Sequence, residues 1–135
     1  MSQYLEHSKQ LRARTDVHYN CNQAVFIPFA AGLGIDETTA MAIGANFGAG
    51  MRMAATCGAI TGGLMALGLY GIDDPKIVNQ FYRELRQNHQ NCLDCADLLR
   101  INKETGTPKK VHCDNMVFEC VELVEKILRD QNKIS

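Results

Sequence analysis

The stretch "MAATCGAITGGLMALGLYGI", residues 53 to 72, carries no charge over twenty residues. That length can span a bilayer, and Gly58 with Gly62 makes a GxxxG pattern. Five of the twenty residues are glycine, however, only five are Leu or Ile, and no basic clusters flank the segment. A core helix with close neighbours is the better reading, and a membrane span is not expected. Thr56 is a suitable cap for this helix and Gly71 a suitable stop.

The charge pattern places the rest of the chain around this segment. Between Thr15 and Gly71 only Asp16, Asp36, Glu37 and Arg52 are charged, and ten of the eleven glycines lie between Gly32 and Gly71. From Ile72 onward there are 21 charged residues. The first half predicts a closely packed centre, the second half helices with a solvated face.

Helix signals recur along the sequence. Gln3 to Arg14 predicts a short helix with Tyr4, Leu5 and Leu11 as sparse anchors. "NCNQAVFIPFAAGLG" has Asn20 as cap and Gly34 after its last turn, with Pro28 expected to bend it. "DETTAMAIGANFG" has Asp36 as cap and Gly48 as stop. Asp73, Asp74 and Pro75 open another helix with Ile77, Val78, Phe81, Tyr82 and Leu85 on one face. "CLDCADLL" predicts a short helix, and "INKETGTPKK" a loop. A last helix, from about Cys113 to Arg129, carries the stripe Val117, Val121, Val124 and Leu128. No segment alternates as a strand would. The expected architecture is all-α, one domain over 1–135 with five to seven helices and a glycine-rich central one. Residues 1–17 form an N-terminal helix or extension, and 18–130 a cysteine-bearing unit.

Several function classes are excluded by composition and pattern. A formal charge of −1 gives no basic footprint for nucleic acid. No phosphate-binding loop and no nucleophile-elbow serine are present. "MSQYLEHSKQLRAR" lacks an apolar run, so the expected compartment is the cytoplasm. A reducing compartment disfavours a permanent framework for the six cysteines, Cys21, Cys57, Cys92, Cys95, Cys113 and Cys120. Metal binding, redox cycling and plain burial remain open.

Cys21, Cys57 and Cys113 each fall at an expected helix start, where free N–H groups and the helix dipole lower a thiol pKa. Free cysteine is also a common small core residue. Cys92 and Cys95 form a C-x2-C unit, usable as half of a metal site or as a cycling dithiol. His18 and His112 stand near cysteines in sequence, where either could serve as a proton partner or a fourth ligand, and Arg52 is the single cation of a long neutral region; a surface position is the expected reading for all three.

Taken together, "NCNQAV", "FGAGMRMAATCGAITGGLMALGL", "CADLL" and a late C-x3-V resemble the C_GCAxxG_C_C family of small redox-active proteins over residues 18 to 130. The resemblance implies Cys21, Cys57, Cys95 and Cys113 as the functional set, with Gly58, Ala59 and Gly62 as the pattern after the central cysteine. Cys92 and Cys120 look additional, and Asn22 stands where a small residue is expected. A similar segment in split-Soret-type cytochromes implies an iron–sulfur alternative.

Three functions follow as expectations. The first is thiol–disulfide or electron-transfer chemistry centred on Cys57, with an unknown redox partner and Cys21, Cys95 or Cys113 as resolving thiol. The second is a zinc or iron–sulfur carrier ligated by Cys21, Cys57, Cys95 and Cys113, with Cys92 as a substitute ligand. The third is a non-catalytic helical homodimer joined through the glycine face.

Overall fold

The computed structural model describes residues 2–135. Seven α-helices follow one another: α1 (Gln3–Ala13), α2 (Cys21–Gly32), α3 (Glu37–Gly44), α4 (Gly58–Leu69), α5 (Pro75–Asn88), α6 (Cys95–Thr105) and α7 (Lys109–Asp130). A short π turn, Gly50–Ala54, lies between α3 and α4. The fold is all-α, as expected, with eight helical elements instead of five to seven. The extra one is the π turn, which is too short to carry a hydrophobic period. Among the described residues there is no strand, only one isolated bridge between Thr56 and Asp94.

The centre is the pair α2 and α4. Every residue of α2 from Asn22 to Ala30 is buried, and the helix runs on through Pro28 to Gly32. It packs on α1, α3, α4 and α7. The close approach of α4 depends on its glycines: a Cβ at Gly62 would lie 2.7 Å from the Asn22 carbonyl oxygen, and one at Gly58 2.8 Å from that of Phe47. The GxxxG face is thus filled by this chain's own α2 and the segment before the π turn. At twelve residues, α4 is also far short of a membrane span, and no helix is long and apolar enough to cross one.

Around this pair α7 lays down its predicted stripe, with Val117, Val121, Val124 and Leu128 all fully buried. Phe81 and Leu85 of α5 close the core from another side. Each such side chain contributes about 1.5–3 kcal/mol by leaving water. α1 packs against both α2 and α7, with Tyr4 stacked on Phe29 at 4.7 Å between ring centres.

Several expected boundaries shift. "INKETGTPKK" is mostly helical: α6 continues to Thr105, and only Gly106 to Pro108 connect it to α7, with Gly106 at φ +77°. Its polar residues are the solvated faces of two helices, which composition does not distinguish from a loop. α7 therefore begins at Lys109, placing Cys113 in its second turn instead of at its start. α3 ends at Gly44, short of Gly48. The cap of α4 is Cys57 itself, not Thr56, whose backbone is drawn into the bridge with Asp94.

Candidate functional site

Two sequence devices hold the cysteines at the ends of helices. Asn20 caps α2 with a reciprocal box: its side-chain oxygen accepts from the Gln23 amide at 2.8 Å, and the Gln23 side-chain oxygen accepts from the Asn20 amide at 2.9 Å. Cys21 is thereby fixed as the first residue of α2. At the other place, the backbone before α4 pairs with the backbone before α6. The Cys57 amide donates to the Leu93 carbonyl at 2.9 Å, and the Cys95 amide donates to the Ala55 carbonyl at 2.7 Å. Cys57 and Cys95 thus flank the Thr56–Asp94 bridge at the heads of two helices.

The turn that leads into this bridge is strained. Ala49, Met51, Arg52 and Ala54 all have φ between 52° and 62°, in the left-handed region. Side chains there cost about 1–2 kcal/mol each. Gly50, at φ +65°, is required on two grounds, since a Cβ would also stand 2.5 Å from the Ala55 carbonyl oxygen and 2.9 Å from the Cys95 Cβ.

These elements enclose a cavity of about 470 Å³ whose walls include Cys21, Cys57, Cys95 and Cys113. The fold therefore brings all four of the singled-out cysteines to one space. Cys92 and Cys120 are not on its walls. The Cys92 thiol instead donates to the Gln90 carbonyl at 3.5 Å, and Cys120 is 0% exposed in the core. The C-x2-C pair is thus split: one sulfur faces the cavity and the other a turn. His18, Arg52 and His112 also line the space, together with Arg12 and Lys109, which nothing local in the sequence marked.

The thiols differ in acidity. Cys57 is 7% exposed, and burial pushes its thiol up to about 11 although the Ala59 and Ile60 amides pull the other way. This corrects the expectation of a depressed pKa at the α4 start: loss of water outweighs the helix terminus. Cys95 is raised as well, first by burial. Cys113 moves the opposite way, down to about 6, chiefly because the neighbouring Cys21 thiol favours its charged form; burial opposes the shift, and Arg12 and Lys109 add to it. Cys21 is raised, first by the neighbouring Cys113 and then by burial.

Asn22, the departure after Cys21, is fully buried and donates to Thr61 Oγ1 at 3.1 Å and to Met65 Sδ at 3.2 Å, tying α2 to α4. Gly44 makes room for it: a Cβ there would meet the Asn22 Oδ1 at 2.5 Å. The larger residue is absorbed by a glycine on a third helix.

The family model described as "Putative redox-active protein (C_GCAxxG_C_C)" matches residues 19–127. The chain belongs to this family. No curated protein matches it, and no solved structure does. The C_GCAxxG_C_C match takes in all four cavity cysteines and leaves out Arg12 of α1. A general redox role follows from the family description.

The donor set bears on the metal alternative. Among the described residues no three His, Cys, Asp or Glu side chains stand close enough together to hold a metal ion. Four sulfurs around one space are not four sulfurs on one tetrahedron, so the residues as placed do not fit a structural zinc or iron–sulfur site.

Proposed function

We propose that this C_GCAxxG_C_C protein is a thiol–disulfide redox protein whose working pair is Cys21 and Cys113. The observation that supports this reading is that Cys21 and Cys113 line one cavity together with Arg12 and Lys109, neighbours that favour the charged form of Cys113. The nucleophile is Cys113, which replaces Cys57 in that role, because only a thiolate attacks a disulfide.

The Cys113 thiolate attacks one sulfur of a substrate disulfide. The substrate S–S bond breaks, its electron pair leaves on the far sulfur, and a mixed disulfide forms on Cys113. The leaving thiolate takes the proton of Cys21. The Cys21 thiolate then attacks the Cys113 sulfur, closing the Cys21–Cys113 bond and expelling the second substrate thiolate. One disulfide has been reduced by two electrons to a thiol and a thiolate, and the protein dithiol has been oxidised. Cys57 and Cys95 remain thiols at neutral pH, since burial raises both.

Mild oxidation of the reduced protein followed by peptide mapping tests the reading. The expected product is a Cys21–Cys113 disulfide, and Cys21→Ser should trap a mixed disulfide on Cys113. Absence of that bond, or a Cys57–Cys95 bond in its place, overturns the assignment. Anaerobic purification with visible spectroscopy and metal analysis supplies the contrary arm: stoichiometric iron or zinc lost on replacing Cys113 would replace thiol exchange by metal chemistry.

A further inference from the structure

Resting on the thiol–disulfide reading, we propose that the cavity is built for a small disulfide carrying negative charge, and not for the disulfide of a folded protein. Two observations carry this. The first is access: Cys57 is 7% exposed and Cys21 is half-buried, so the sulfurs are reached only by something that enters the space. A volume of about 470 Å³ lies within the range of roughly 300–1,000 Å³ common for small-molecule sites.

The second observation is charge. The cavity wall contains Arg12, Arg52 and Lys109 and no Asp or Glu. Arg12 is engaged by Asp114 at 2.6 Å. Arg52 and Lys109 take part in no ion pair among the described residues. Among the described residues the Arg52 side chain makes one hydrogen bond, donated to the Asn46 side-chain oxygen at 3.2 Å. Both cations are exposed and stand at the edge of the space, while the cysteines lie within. Lys109 lines the same space as Cys95 and Cys113, and its charge favours the ionised form of both. His112 adds no charge at neutral pH, since burial and the charge on His89 lower its pKa.

Cations without carboxylate partners beside an apolar, water-poor space attract anions and hold them more strongly than they would in open solvent. A carboxylate group on Arg52 or Lys109 would leave the disulfide end of the same molecule directed at Cys113. The reaction is the exchange already written, with the substrate's two sulfurs leaving as an anionic thiol and an anionic thiolate.

The experiment compares three small disulfides of similar size: dithiodipropionate, a dianion; hydroxyethyl disulfide, which is neutral; and cystamine, a dication. With each rate divided by that of the same disulfide with free 2-mercaptoethanol, which removes differences in leaving-thiol acidity, oxidation of the reduced full-length protein should be fastest with the dianion, by roughly tenfold or more over the dication at low salt, and the ratio should shrink as salt is added. Arg52→Gln with Lys109→Gln should bring that ratio close to unity; using a ratio cancels any change in the reactivity of Cys113 itself. Equal rates for anion and cation, or an unchanged ratio in the double variant, overturn the proposal. If the neutral reagent also fails to close a Cys21–Cys113 bond, it is the thiol–disulfide reading that falls. The cavity is then judged by calorimetric binding of thiodipropionate, an unreactive thioether dianion: binding lost in the double variant upholds the anion site, and no binding to the unaltered protein removes it.

Discussion

Cys113 and Cys120 lie seven residues, two turns, apart on α7 and so point the same way from one helix. Their surroundings are opposite. Cys120 sits among Val117, Val121 and Val124 with no exposed surface, and burial raises its thiol well above the ordinary value. Cys113 faces the cavity beside Cys21, Arg12 and Lys109, and these neighbours lower its pKa. The same side chain on the same stripe is core in one turn and a reactive group two turns earlier. What separates them is what the other helices bring: apolar side chains from α2 and α4 in one case, and α1's arginine with the head of α2 in the other.

The largest expected effect separates these two cysteines. In native protein, alkylation by a small reagent at neutral pH should modify Cys113 faster than Cys120 by more than roughly a hundredfold, because one is a half-buried thiol of lowered pKa on a cavity wall and the other opens only with the core. Mass mapping of partly alkylated protein reads this directly, and comparable rates would collapse the distinction. The Cys113 rate should fall as pH drops through about 6. The sign carries over to stability. A folded pKa below that of the free thiol means that ionisation of Cys113 stabilises the fold fully above the free-thiol value, and this contribution is lost as pH falls through about 6. A shift of the alkylation midpoint up towards the free-thiol value in Cys21→Ala would trace the effect to the Cys21 thiol.

A smaller effect sharpens the contrast between packed and open glycines on α4. Gly62→Ala puts a methyl 2.7 Å from the Asn22 carbonyl oxygen and 3.2 Å from its Cα, and backbone cannot yield as a side chain can. The variant should lose about 1–3 kcal/mol in denaturant unfolding, net of the helix propensity it gains. An unchanged midpoint would mean that α2 and α4 do not approach so closely. The smallest effect has the opposite sign. Gly68, in the last turn of the same helix, has no atom within 4 Å of the place an added methyl would take, so Gly68→Ala should stabilise by about 0.5–1 kcal/mol. Thermal or denaturant unfolding of the two variants side by side checks both signs.

The helices were legible where signals are local. Asn20, Asp36 and Asp74 accept hydrogen bonds from backbone amides at the starts of α2, α3 and α5, as their positions predicted. The stripe from Val117 to Leu128 is core, as its spacing predicted. The errors fall where two structures share one composition. "INKETGTPKK" has loop residues, but it is the outer face of α6 and α7, and its misreading moved the start of α7 and with it the place of Cys113. The π turn carried no signal, since its left-handed residues include Ala49, Met51, Arg52 and Ala54, types that prefer other conformations.

By itself the sequence determined the helical class and the glycine-rich, uncharged central helix, and the family resemblance set four cysteines apart from the other two. Those properties rest on period, capping and motif, which act within a turn or along one contiguous segment. Tertiary structure alone decided which cysteine is acidic. A thiol's pKa is set by how much water it loses and by which charges and donors stand within a few ångströms. For Cys57 the loss of water prevailed over its helix terminus, and for Cys113 a thiol from α2 and cations from α1 and the start of α7 prevailed over partial burial. Those neighbours meet only when the chain has folded.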